Sequence, residues 1–66
     1  MVANLKRIRM SQLMTQEELA KATGINRVTI AKYEAGTMDP TSEKAKKLAD
    51  TLGVTIDELV TDWRAT

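Results

Sequence analysis

The stretch Thr15–Glu34, TQEELAKATGINRVTIAKYE, limits the folds open to this chain more than any other segment. Thr15 is followed three residues on by Glu18, a capping-box spacing that satisfies amides left unpaired at a helix start. Leu19 and Ala20 supply the inner side of that helix, and the small Ala20 lets a second helix cross close by. Gly24 stands where the helix must stop, because a left-handed terminating residue favours the side chain without a Cβ. Ile25 then turns inward and Asn26 is a strong N-cap. A second helix runs on with Ile30 and Tyr33 on its inner side and Arg27, Val28, Ala31 and Lys32 facing away. Two short helices across a tight turn, the second with an outward face of its own, make a helix-turn-helix.

The flanks read as further short helices. Residues 3–13 predict a first helix with Leu5, Ile8 and Gln12 on the inner arc, Lys6 and Arg7 outside, and Met14 docking at the handover to the motif. Arg9 falls on or near that buried arc and needs a partner there, or a path to solvent over its apolar neighbours. Ala35–Gly36 stops the motif's second helix, and a loop runs through Thr37, Met38, Asp39 and Pro40. Thr41–Ser42 and Glu43 open a fourth helix that turns Ala45, Leu48, Ala49 and Leu52 inward and ends at Gly53. Thr55 and Glu58 repeat the capping-box spacing before a last helix whose apolar side is Leu59 and Val60. Nothing alternates as a strand would, so the expected class is all-α with five helices in one domain, residues 1–66.

Composition narrows the chemistry. At 66 residues the chain buries roughly 60% of its unfolded surface, so its stability margin is small. It has no Cys and no His, which removes disulfides, the usual metal clusters and a His general base. No phosphate loop is present, and a chain this short leaves little room for a substrate cleft, so an enzyme is not expected. No apolar run approaches membrane-spanning length and no signal peptide pattern opens the chain. The expectation is a cytoplasmic protein without metal, cofactor or membrane contact, and without space for an effector-binding domain. Net charge is only +1, but residues 1–33 carry six Lys/Arg against two acids, while residues 34–66 carry four against seven. That asymmetry suits a molecule with one face toward a polyanion.

The residues Gln16, Leu19, Ala20, Gly24, Ile25, Ile30 and Glu34, at this spacing, resemble the helix-turn-helix of the Cro/repressor (XRE-like) family of transcription regulators. Flanking matches at Leu5, Ile8, Arg9, Ala35–Gly36, Asp39–Pro40, Leu48–Ala49, Leu52–Gly53–Val54 and Asp57–Glu58–Leu59 extend the likeness over residues 4–60, leaving a tail at 61–66. The resemblance implies a five-helix lambda-repressor-like domain that binds double-stranded DNA. It implies that Arg9 pairs with Glu34 and that Gln16 contacts a backbone phosphate. The chain departs from the family at Leu13, where relatives carry Gly or a polar residue, and at Ser42 and Lys46, where many carry larger apolar residues.

Elementary recognition chemistry agrees. The major groove admits one helix and shows each base pair as a distinct donor and acceptor pattern. Arg27 can donate two hydrogen bonds to guanine, Val28 can meet a thymine methyl, and Ala31 leaves room for close approach. Lys32 lies five residues beyond Arg27, about 140° round the helix from it, and so reaches a base or a flanking phosphate. No acid lies between Ile25 and Tyr33. Asn26, Thr37, Thr41 and Lys44 are further candidates for phosphate contact, which sets position while base contacts set sequence. Apolar surface at the end of a small domain, at Leu59, Val60 and Trp63, predicts a homodimer interface and a palindromic operator. The competing reading is a protein-interaction or antitoxin-like module in which this helix never reads DNA.

Overall fold

A computed structural model describes residues 2–60, and Trp63 of the expected interface lies outside them. The helices are α1 (Leu5–Ser11), α2 (Gln16–Thr23), α3 (Arg27–Ala35), α4 (Ser42–Leu52) and α5 (Ile56–Val60), with no strand among the described residues. All but α1 begin or end on a local chemical signal. Thr15 and Glu18 form the reciprocal box at the start of α2, Glu18 N–H to Thr15 Oγ1 at 3.0 Å and Thr15 N–H to Glu18 Oε1 at 2.9 Å. The backbone bond from Thr15, and then its hydroxyl, hold the Glu18 carboxyl below its ordinary pKa. Asn26 Oδ1 caps α3 by accepting from Val28 N–H at 2.7 Å, and Thr41 caps α4 through Lys44 N–H. Gly24 ends α2 at φ +74°, with open space where a Cβ would stand, so the backbone conformation and not crowding is what selects glycine there.

Packing follows from one aliphatic residue per helix. Leu5, Leu19, Ile30, Leu48 and Leu59, from α1 to α5 in turn, are the largest fully buried side chains. Around them lie Val2, Ile8, Ile25, Tyr33, Ala49 and Leu52, with Met14, Ala20 and Val54 at the margin. Burial raises the Tyr33 phenol above its usual pKa. α2 lies against α3 and α4, α4 against α5, and α1 against both α3 and α5. The last contact is closed by Asn4, a buried polar residue with no role in the sequence reading. Its side-chain amide donates to the Glu58 carbonyl at 2.8 Å and its backbone N–H donates to the Leu59 carbonyl at 3.0 Å. Thr23 is a second such residue: its buried hydroxyl donates to the Leu19 carbonyl at 2.8 Å and accepts from Ile25 N–H at 3.2 Å, fixing the turn of the motif.

Two expectations need correction. Helix α1 is shorter than residues 3–13: Ala3–Asn4 form a turn, and the helix stops at Ser11. Gln12 is exposed rather than inner, though its side-chain amide donates to the Leu52 carbonyl. The stop comes from Leu13, the single non-glycine residue at positive φ among those described, at +58° and 91% exposed. A left-handed L-residue costs roughly 1–2 kcal/mol, and a leucine in water recovers nothing by packing. Leu13→Asn keeps the turn with a residue that tolerates this conformation, and should raise stability by up to about 1 kcal/mol, a Tm gain of up to about 4–8 °C for a domain this size. A lower Tm on calorimetry would show that Leu13 holds a contact that its exposure does not reveal.

Candidate nucleic-acid interface

The starts of α2 and α3 and the end of α1 surround a shallow surface hollow whose lining includes Leu13, Gln16, Glu17 and Arg27. A candidate phosphate contact and a candidate base contact thus share one concavity. Arg27 is the first residue of α3 and exposed, Val28 is 54% exposed one residue on, and Lys32 is exposed one turn further. Ala31 is half-buried between that surface and the core residues Ile30 and Tyr33, so a partner surface can approach the α3 backbone closely. Glu17 adds an acid to the hollow and makes only a loose pair with Lys21, 3.9 Å apart and mostly in solvent.

Arg9, which also lines the hollow, belongs to a buried ion pair. Arg9 Nε donates to Glu34 Oε2 at 2.7 Å and Nη2 donates to Oε1 at 3.1 Å, a two-pronged geometry that a lysine cannot make. Arg9 Nη1 donates to the Met14 carbonyl at 2.6 Å. The side chains are 9% and 4% exposed. Hydrogen bonding to the Glu34 carboxylate raises the Arg9 pKa most, the charge of Glu34 adds to that, and burial works against both. Gln16 joins this pair, its Nε2 donating to Glu34 Oε1 at 3.0 Å. The family resemblance implies a phosphate contact for Gln16 and a pairing of Glu34 with Arg9, but nothing in the sequence signals a bond between residues 16 and 34.

The remaining candidates divide by what their polar atoms already do. Asn26 uses its oxygen to cap α3, so its amide nitrogen is the part that could donate to a phosphate. Thr41 uses its hydroxyl oxygen to accept from Lys44 N–H and keeps its proton to donate, and the Lys44 side chain is exposed beside it. Thr37 is different. Its hydroxyl donates to the Lys32 carbonyl at 3.3 Å and its backbone N–H donates to the same oxygen at 3.1 Å. It closes the end of α3, and a phosphate would have to take its proton from that bond.

Leu59, expected at the dimer interface, is a core residue. It is 0% exposed and is the α5 member of the core, because the Asn4 turn closes over the end of that helix. The apolar surface of α5 is instead Ile56 and Val60, one turn apart and each 40% exposed. Among the described residues no helix is long and apolar enough to cross a membrane.

A family model for helix-turn-helix domains matches residues 5–59. Over 60 residues the chain is 38% identical to the cryptic phage CTXphi transcriptional repressor RstR of Vibrio cholerae, covering 91% of this chain and 54% of RstR. It is 42% identical over 55 residues to an uncharacterized HTH-type transcriptional regulator of Methanocaldococcus jannaschii, covering 83% of each. It is 38% identical over 56 residues to the HTH-type transcriptional activator BcrR of Enterococcus faecalis, covering 85% of this chain and 28% of BcrR. The chain therefore spans about half the length of RstR and less of BcrR. These relatives are transcriptional regulators and not enzymes, and they include both a repressor and an activator. With the motif, the five-helix fold and the family match in agreement, the chain belongs to the Cro/repressor-type (XRE) helix-turn-helix family of DNA-binding transcriptional regulators.

Proposed function

We propose that the protein is a sequence-specific regulator that lays α3 in the major groove of double-stranded DNA and binds a palindromic operator as a homodimer. The observation that carries this is the exposed, acid-free face of α3, Arg27 to Lys32, set on a helix whose opposite side is locked into the core by Ile30 and Tyr33. Arg27 reads a guanine, Val28 meets a thymine methyl, Ala31 admits close approach, and Lys32 reaches a base or flanking phosphate. Gln16, Asn26, Thr41 and Lys44 hold backbone phosphates and so fix the register. Thr37 ranks below them because its proton is engaged. Arg27→Ala should cost about 1–3 kcal/mol on the best site and relax preference at one base pair per half-site. Binding measured against single-base operator changes checks this, and an Arg27→Ala protein with its preference intact would mean that another residue reads the groove. Absence of any salt-sensitive binding to duplex DNA would favour the protein-interaction reading instead.

Ile56 and Val60, the exposed apolar residues of α5, are the surface for pairing two copies. A twofold dimer sets its recognition helices one DNA turn apart, about 34–36 Å, which is why the operator should be palindromic. Sedimentation should show a dimer at tens of micromolar that Val60→Asp disperses. A monomer at that concentration removes the dimer from the free protein.

A further inference from the structure

Glu34 accepts from two directions. Its Oε2 takes Arg9 Nε, while its Oε1 takes both Arg9 Nη2 at 3.1 Å and Gln16 Nε2 at 3.0 Å. The first task is structural, joining α1 to the end of α3. The second reaches the first residue of α2, at the rim of the hollow that also holds Arg27.

A side-chain amide has two faces of opposite character, an oxygen that accepts and a nitrogen with two hydrogens that donates. A free glutamine exchanges them by rotating its last bond, and half of its orientations would turn an oxygen toward an approaching phosphate. A carboxylate can only accept, so the nitrogen of Gln16 must be the atom facing Glu34. One Nε2 hydrogen is thereby engaged and the other is left, held in direction, for a second acceptor. Glu34 is itself fixed by the two-pronged guanidinium, and the third arm of Arg9 ties in the Met14 carbonyl, one residue before the cap of α2.

We infer that Glu34 is a positioning residue for DNA, setting through Gln16 the direction of a donor that meets a backbone phosphate. This rests on the reading of Gln16 as a phosphate contact. It assigns the buried pair a second task beside holding the fold. It also makes the affinity of the protein for any duplex, whatever its sequence, depend on a carboxylate that never touches DNA.

The test compares wild type, Gln16→Ala, Glu34→Gln and the double variant on a random-sequence duplex and on the best operator. Measurements are made at a temperature where circular dichroism shows each protein folded. Gln16→Ala should weaken binding to both duplexes alike, by about tenfold for a hydrogen bond to a charged group. The slope of log affinity against log salt should stay unchanged, because a neutral amide displaces no counterion. In Glu34→Gln the amide at residue 34 can turn either face to Gln16. That variant should lose affinity for both duplexes, and adding Gln16→Ala to it should cost little more. An equal loss from Gln16→Ala in both backgrounds overturns the inference. If Glu34→Gln does not fold, the free wild-type protein decides by NMR: the Gln16 side-chain amide should be as ordered as the backbone, and rapid averaging would overturn the positioning role. Wild type that binds no duplex overturns the proposed function and this inference together, whereas duplex binding with uncoupled variants overturns the inference alone.

Discussion

Replacing Arg9 by methionine should remove about 3–5 kcal/mol of stability, because it leaves the Glu34 carboxylate buried without its counter-charge. A domain of 66 residues has only about 3–10 kcal/mol in total, so the variant should be largely unfolded at 37 °C. Glu34→Leu should do comparable damage from the other side, since Arg9 would retain only its bond to the Met14 carbonyl. The two changes together should cost well below their sum, because neither then strands a charge. Denaturant unfolding of the four proteins gives the coupling. The pair Glu17–Lys21 supplies an internal contrast: it is 3.9 Å apart and mostly in water, and Glu17→Gln should move stability by no more than about 0.5 kcal/mol. Equal effects at the two pairs would mean that the Arg9–Glu34 pair is solvated.

Leu59→Ala should cost about 2–5 kcal/mol, the range for emptying a buried leucine site. The neighbouring Val60→Asp should barely change the stability of a monomer, since that side chain is 40% exposed. The two therefore separate core from surface within one five-residue helix. Unfolding followed at several protein concentrations reads both properties. Leu59→Ala should lower the midpoint at every concentration, while Val60→Asp should abolish any dependence on concentration. A Leu59→Ala protein of wild-type stability that only fails to self-associate would restore Leu59 to the interface.

What could be read from residues alone was the part encoded locally. Thr15 with Glu18, Thr55 with Glu58, Asn26 and Gly24 each act within a few positions of themselves, so the starts of α2, α3 and α5 and the stop of α2 follow from spacing, while both ends of α1 do not. Leu59 shows the limit. The sequence marks Leu59 and Val60 as apolar, but which of them the core takes depends on Asn4, whose side chain reaches the Glu58 carbonyl from the other end of the chain. The Gln16–Glu34 bond was hidden for the same reason, since it spans the turn of the motif and has no periodic signature. Leu13 was marked as a departure from the family pattern, yet only the backbone angle turned that departure into strain. The outward face of α3 was legible because the inward face was: once Ile30 and Tyr33 are assigned to the core, Arg27, Val28 and Lys32 have only the other side.

The distribution of the core, one fully buried aliphatic from each helix, sets how this regulator responds to heat. The helices run from 5 to 11 residues, below the length at which an isolated helix persists in water. No helix can then outlast the loss of its neighbours, and the α3 face proposed to read DNA exists only in molecules that are folded throughout. Operator occupancy becomes the product of intrinsic affinity and folded fraction. With so small a margin, a change as mild as Ile30→Val, about 0.5–1.5 kcal/mol, should lower the Tm by about 2–12 °C. Temperature-sensitive alleles should therefore arise at Leu5, Leu19, Ile30, Leu48 and Leu59 alike, four of which lie outside α3.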